Sequence, residues 1–194
     1  ALEVIRADHS ISEVLLSGGD PLTLNDRRLA ALFDALQEIP HLRRIRIHTR
    51  LPVVLPERVD AGFLATWSAV KLQKTVVVHA NHAREIDSSV RVAARALRDA
   101  GSTVLNQAVL LRGVNDRCDD LVDLSESLFE AGVLPYYLHL LDPVAGAGHF
   151  DLPLGTARQL IADVAARLPG YLVPRLVREE PGAPAKTMVP PASR

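Results

Sequence analysis

The 194 residues balance 22 Lys and Arg against 23 Asp and Glu, for a formal charge of −1, and 48% of them are hydrophobic. That suffices for one sizeable domain with its own core, while the balanced charge gives no electrostatic case for nucleic acid or an anionic membrane. The single cysteine, Cys118, rules out an internal disulfide framework and suits a reducing compartment such as the cytoplasm, and no apolar run approaches bilayer-spanning length.

The chain opens on "ALEVIRADHS", without Met, which reads as the end of a helix running into a strand; a fragment of a longer protein is expected. From there a pattern recurs about every thirty residues: a β-branched run, a polar loop and an amphipathic helix. Strands are expected at Glu13–Leu16, Arg44–His48, Thr75–His79, Val104–Leu110 and Pro135–Leu141, with a last apolar run at Tyr171–Val177. The segments "DRRLAALFDALQEI", "RVDAGFLATWSAV", "SSVRVAARALRDAG", "DDLVDLSESLFEAG" and "GTARQLIADVAARL" space their apolar residues three and four apart, as helices do. Asp26 and Ser88 stand near expected N-caps, and Gly101 and Gly132 just past expected helix ends.

Such alternation predicts an α/β fold with a parallel sheet covered by helices. Right-handed crossovers leave a doubly wound sheet or a (β/α) barrel. No GxGxxG or Walker lysine loop follows any strand, so a partial (β/α) barrel of about five βα units plus a C-terminal strand is the expectation. Residues 1–170 would form the partial barrel, and residues 171–194 a strand and lysine-bearing loop of the same domain.

Function then gathers at the carboxyl ends of the strands. Those ends read "SGGD" (Ser17–Asp20), "HTR" (His48–Arg50), "HANH" (His79–His82), "NQ" and "LRGVND" on the fourth, and "HLLDP" (His139–Pro143). In the first, Ser17, Gly18 and Gly19 strip side chains from the backbone before Asp20 places one carboxylate, which suits a ligand's close approach or a tight turn. His79 and His82 without a third ligand at fixed spacing make a weak metal signal, so no metal site is assigned. Lys186, in the Gly- and Pro-rich "VREEPGAPAKTMVPP", is either a solvated lysine or a Schiff-base lysine. Asp142, Glu179 and Glu180 could face solvent, or converge as a receptor for an ammonium group.

Taken in order, "SGGDPL", "RIHTRLPVVLPER", "HANHAREI", "LNQAVLLRGVND", "LPYYLHLLDPVAGAGHF" and "GYLVPRLVREEPGAPAKT" resemble successive blocks of the lysine 2,3-aminomutases. The branch resembled most is the one that supplies (R)-β-lysine for modification of elongation factor P. The resemblance implies a radical S-adenosylmethionine enzyme that also uses pyridoxal phosphate, an isomerase acting on lysine. It implies that Lys186 carries pyridoxal phosphate, and that Ser17, Gly18, Gly19 and Asp20 cradle the methionyl end of S-adenosylmethionine. Asp142 and Glu179 would receive the side-chain ammonium of lysine, and Gln107, His79 and Asn81 would line the cofactor cavity. Two acids opposite the cofactor would also exclude glutamate, the substrate of the sister mutase.

The family binds a [4Fe–4S] cluster through three cysteines in a CxxxCxxC loop, and that loop is absent here, as is the arginine that follows it. The polypeptide as written is therefore expected not to cleave S-adenosylmethionine, with truncation the expected cause. The alternatives left open are a non-catalytic remnant acting as a binding domain, and a glutamate 2,3-aminomutase.

Overall fold

Residues 44–49 read "RIRIHT", and in the structure Ile45, Ile47 and Thr49 are buried while Arg44, Arg46 and His48 alternate with them on the other face. This period of two defines a strand covered on one side more than the other. The computed structural model describes residues 1–183 and 185–192. By its contacts the chain divides into two compact units, residues 1–78 with 88–105, and residues 79–87 with 106–194.

The first unit carries α1 (Leu2–Ala7), β1 (Glu13–Leu16), α2 (Asp26–Gln37), β2 (Arg44–Thr49), α3 (Leu51–Val54), α4 (Ala61–Ser68), β3 (Gln73–Val78) and α5 (Ser88–Asp99). Strands β1, β2 and β3 pair in parallel, Glu13 against Arg44 and Arg44 against Gln73. Glu13 then receives both Arg44 and Arg46, at 2.9 and 2.8 Å. Helix α2 starts where the Asn25 side chain accepts from Arg28 N at 3.0 Å, so the cap is Asn25 and Asp26 is the first helical residue. Its buried face is Leu29, Phe33 and Leu36. Trp67 joins them, its ring 5.1 Å from Phe33 and 6.1 Å from Phe63, with its indole N–H donating to Ser102 Oγ at 2.7 Å. That bond lets a fully buried tryptophan keep its one donor satisfied.

Strand β4 (Ser102–Val109) leads from the first unit into the second, which carries α6 (Cys118–Glu130), β5 (Leu134–His139), α7 (Leu154–Ala165), β6 (Arg175–Arg178) and β7 (Thr187–Met188). Leu121, Leu124, Ser125 and Leu128 on α6 and Ala157, Leu160, Ile161 and Val164 on α7 are the buried positions of the two helices, spaced as expected. Strand β5 pairs with β6 in parallel, Tyr137 against Arg175. Strand β7 turns back antiparallel on β6, with Val177 opposite Met188 and Arg178 opposite Thr187.

Among the described residues the sheet neighbours follow chain order from β1 to β7. A doubly wound sheet reverses its order at a switch point, and this one does not, which removes the alternative that the spacing left open. The last apolar run proves to be two elements. A turn of 3₁₀ helix covers Gly170–Leu172, and the strand begins only after Pro174, which has no N–H for a ladder.

Candidate functional site

Each unit presents one cluster of the residues singled out above. In the first unit the loop after β1 holds Gly18 at φ +85° and Gly19 at φ +47°, backbone that side-chain-bearing residues rarely adopt. A Cβ at either would meet nothing within 4 Å, so the two glycines form an open, exposed stretch of main chain. The Asp20 carboxylate is turned inward. It accepts from Thr49 Oγ1 at 2.6 Å, Leu22 N at 3.0 Å, Arg50 N at 2.6 Å and Leu51 N at 3.3 Å. Asp20 thus ties the rim loop of β1 to that of β2 while the glycine backbone stays open. Asp20→Ala leaves Leu22 N, Arg50 N and the buried Thr49 hydroxyl without their acceptor. A loss of about 1–3 kcal/mol in unfolding free energy is expected, read as a lowered denaturation midpoint.

In the second unit, the loop after β3 is held by side-chain amides acting as backbone partners. Asn106 Oδ1 accepts from Ala80 N at 2.8 Å and its Nδ2 donates to Ala80 O at 3.0 Å. Asn81 Oδ1 accepts from Val109 N at 2.8 Å, and the fully buried Asn115 donates to the carbonyls of Asn81 and Val109. His82 caps the next turn, accepting at Nδ1 from Arg84 N at 3.1 Å, while Glu85 accepts from the Asn81 and His82 amides. His79 is half-buried. Gln107 is half-buried too, and its side-chain oxygen is buried without any protein hydrogen-bond donor.

The ends of β5 and β6 frame a cavity of about 920 Å³. Four carboxylates line it, those of Asp142, Asp151, Glu179 and Glu180, against the single guanidinium of Arg178. Asp142 and Glu179, 37 residues apart in sequence, therefore share one acidic pocket. Lys186 lies beside it through the β6–β7 hairpin. The register that sets Arg178 against Thr187 makes Glu179 and Lys186 the next facing pair, and the two side chains form an ion pair. Thr187 Oγ1 donates to Glu180 at 2.9 Å, which fastens the same hairpin. The Lys186 ammonium also stands 5.7 Å from the centre of the Tyr137 ring. Its hydrogen bond holds the Glu179 carboxyl below the usual carboxylate range.

One residue in this cluster was visible in the sequence only as part of a strand end. His139 closes β5 with 7% of its surface exposed, and its Nε2 is buried with no protein partner. Its ring meets that of Tyr137 edge-on at 5.7 Å. Burial above all, and then the Lys186 charge, keeps its pKa below the ordinary 6.5, with Glu179 and Asp142 pulling the other way. The unfolded chain therefore takes up a proton before the folded one does as pH falls. The corresponding stability is whole above pH 6.5 and drains away below it. Thermal unfolding between pH 7 and pH 5 is expected to show this decline, and His139→Gln to flatten that part of the profile.

No protein-family model matches the chain. Curated proteins do. The chain is 47% identical over 187 residues to the L-lysine 2,3-aminomutase of Escherichia coli K12, covering 96% of this chain and 55% of that protein. It is 48% identical over 188 residues to the one from Haemophilus influenzae, covering 97% and 56%, and 38% identical over 194 residues to the one from Clostridium subterminale, covering 98% and 46%. Over the span compared, the chain is similar to these L-lysine 2,3-aminomutases. It spans about half the length of the relatives it matches. Among solved structures, a radical SAM methyltransferase from Sphaerobacter thermophilus superposes with a TM-score of 0.63 at 16% identity, covering 88% of this chain and 52% of that one. That likeness concerns the fold alone, and it agrees with the partial (β/α) barrel expected from the sequence. Among the described residues no helix is long and apolar enough to cross a membrane, and no group of three or more His, Cys, Asp and Glu is placed to hold a metal ion.

Proposed function

We propose that this chain is the substrate- and pyridoxal-binding part of a lysine 2,3-aminomutase, an isomerase that interconverts L-α-lysine and β-lysine by a radical 1,2-amino shift. The observation that carries the reading is the placement of Lys186 against Glu179, beside a cavity that Asp142 also lines. A lysine amine beside a pocket lined by two carboxylates can attach a carbonyl cofactor while the pocket receives an ammonium group a few bonds away.

The residues present fit pyridoxal phosphate. Lys186 supplies the amine, and the unpartnered side-chain oxygen of Gln107 offers a polar contact, with His79 and Asn81 on the same unit. When bound, the cofactor supplies the means of holding the migrating nitrogen. The chain's own residues do the rest. Asp142 and Glu179 bind the side-chain ammonium and orient the substrate, and Leu140 and Leu152 help keep the cavity wall apolar. The surplus of carboxylates repels the side chain of glutamate. S-adenosylmethionine fits the open backbone of Gly18 and Gly19 next to Ser17; Asp20 supports that loop, since its own carboxylate is already bonded within the protein. A [4Fe–4S] cluster does not fit the residues of this chain, which has one cysteine where three thiolates are needed, and no step is derived through it. We further propose elongation factor P as the destination of the (R)-β-lysine product.

The experiment is to load the complete protein with pyridoxal phosphate, reduce it with borohydride and map the labelled peptide. Label on the Lys186 peptide is expected; label elsewhere refutes the assignment. Product analysis with lysine and with glutamate offered separately decides the substrate.

A further inference from the structure

His139 has no part in the chemistry assigned so far, although it is the most buried ionisable side chain of the cluster. A buried imidazole nearly always finds a partner for each ring nitrogen that needs one, because an unmet polar atom costs free energy that nothing else there returns. Nε2 of His139 has no partner among protein groups. The strand around it is pinned: His139 O accepts from Leu110 N at 2.8 Å, and Leu140 N donates to Val177 O at 2.8 Å. The ring is held edge-on by Tyr137, the same aromatic ring that the Lys186 ammonium approaches. The Tyr137 ring thus stands beside both the imidazole and the Lys186 ammonium, and Lys186, Glu179 and Asp142 all bear electrostatically on the imidazole.

We infer that His139 is a further binding residue of this site, whose Nε2 hydrogen-bonds a polar atom of the pyridoxal group carried by Lys186. The inference rests on the reading of Lys186 as the cofactor lysine. A neutral imidazole suits this role, because it offers a donor or an acceptor on a rigid strand without adding a second positive charge beside the lysine. A histidine serving only as core filler would need no unpaired Nε2 beside the ring that the Lys186 ammonium approaches.

Three substitutions separate these roles. Gln places a polar atom near the position of Nε2, Asn places one near Nδ1 only, and Phe keeps the ring volume without either. The complete protein is titrated with pyridoxal phosphate, following the visible absorbance of the lysine-bound cofactor and the borohydride-trapped label on Lys186. His139→Phe and His139→Asn are expected to raise the dissociation constant about tenfold, the size of one lost hydrogen bond, and His139→Gln to stay within about threefold of wild type. Equal loading by the Asn and Gln variants overturns the inference, as does wild-type loading by a folded Phe variant. Should the Phe variant fail to fold, the Asn and Gln pair decides. If the wild-type protein takes no label on Lys186, the cofactor reading itself falls, a result separate from any difference among the variants.

Discussion

Lys186→Ala is expected to abolish the borohydride-trapped pyridoxal label and to lower lysine turnover by at least about 10³-fold, since covalent attachment is what makes the reaction of cofactor and substrate intramolecular. The fold should tolerate the change. Lys186 sits on a hairpin loop, and its ion-pair partner Glu179 is itself about half exposed. The same substitution releases Glu179 from its hydrogen bond, so the carboxyl should titrate nearer its ordinary value of 4.5. Loss of the label with retained thermal stability is the outcome that separates a cofactor lysine from a structural one. Retained labelling at another lysine would place the cofactor elsewhere.

The second large effect is expected at the acidic pocket. Asp142→Asn and Glu179→Gln each keep the shape of the side chain and remove its charge. A hydrogen bond to a charged group contributes about 1.5–3 kcal/mol. Each single change should therefore raise KM for lysine by about tenfold to a hundredfold in the complete enzyme. Because both side chains are exposed on loops, stability should move by no more than about 0.5 kcal/mol. Steady-state kinetics with lysine test this, and unchanged KM in both variants would remove the ammonium-receptor role. Neither variant should gain glutamate turnover, since Asp151 and Glu180 keep the pocket negative.

Much of the architecture was legible because it is written in local periodicity. Strand β1 appears at the bounds read from the sequence, and each expected strand and helix up to residue 168 is present within a few residues. Where the reading slipped, long-range pairing decided. Strand β7 is two residues long, with Thr187 opposite Arg178 and Met188 opposite Val177, and it is fastened by side-chain bonds of Lys186 to Glu179 and Thr187 to Glu180 across a Gly- and Pro-rich loop, with no apolar pattern to announce it. In the "NQ" pair of β4 either amide could have pointed inward. The ladder turns Asn106 to the Ala80 backbone and leaves Gln107 with an unpartnered oxygen. His139 and Asp142 stood in one quoted block, but only tertiary packing distinguishes a buried ring from an exposed carboxylate three residues later.

The amide of Asn81 that accepts from Val109 has a bearing on how this polypeptide can be divided. Residues 79–87 belong by contact to the second unit, yet the chain returns to the first unit for residues 88–105 before the second resumes. The backbone thus passes from one unit to the other three times. A single nick anywhere leaves at least one unit built from two separate pieces. A fragment starting at residue 106 would lack the side chain that pairs with Val109 N and the Ala80 backbone that the Asn106 side chain pairs with. Neither unit can be inherited, excised or exchanged as one uninterrupted stretch of sequence.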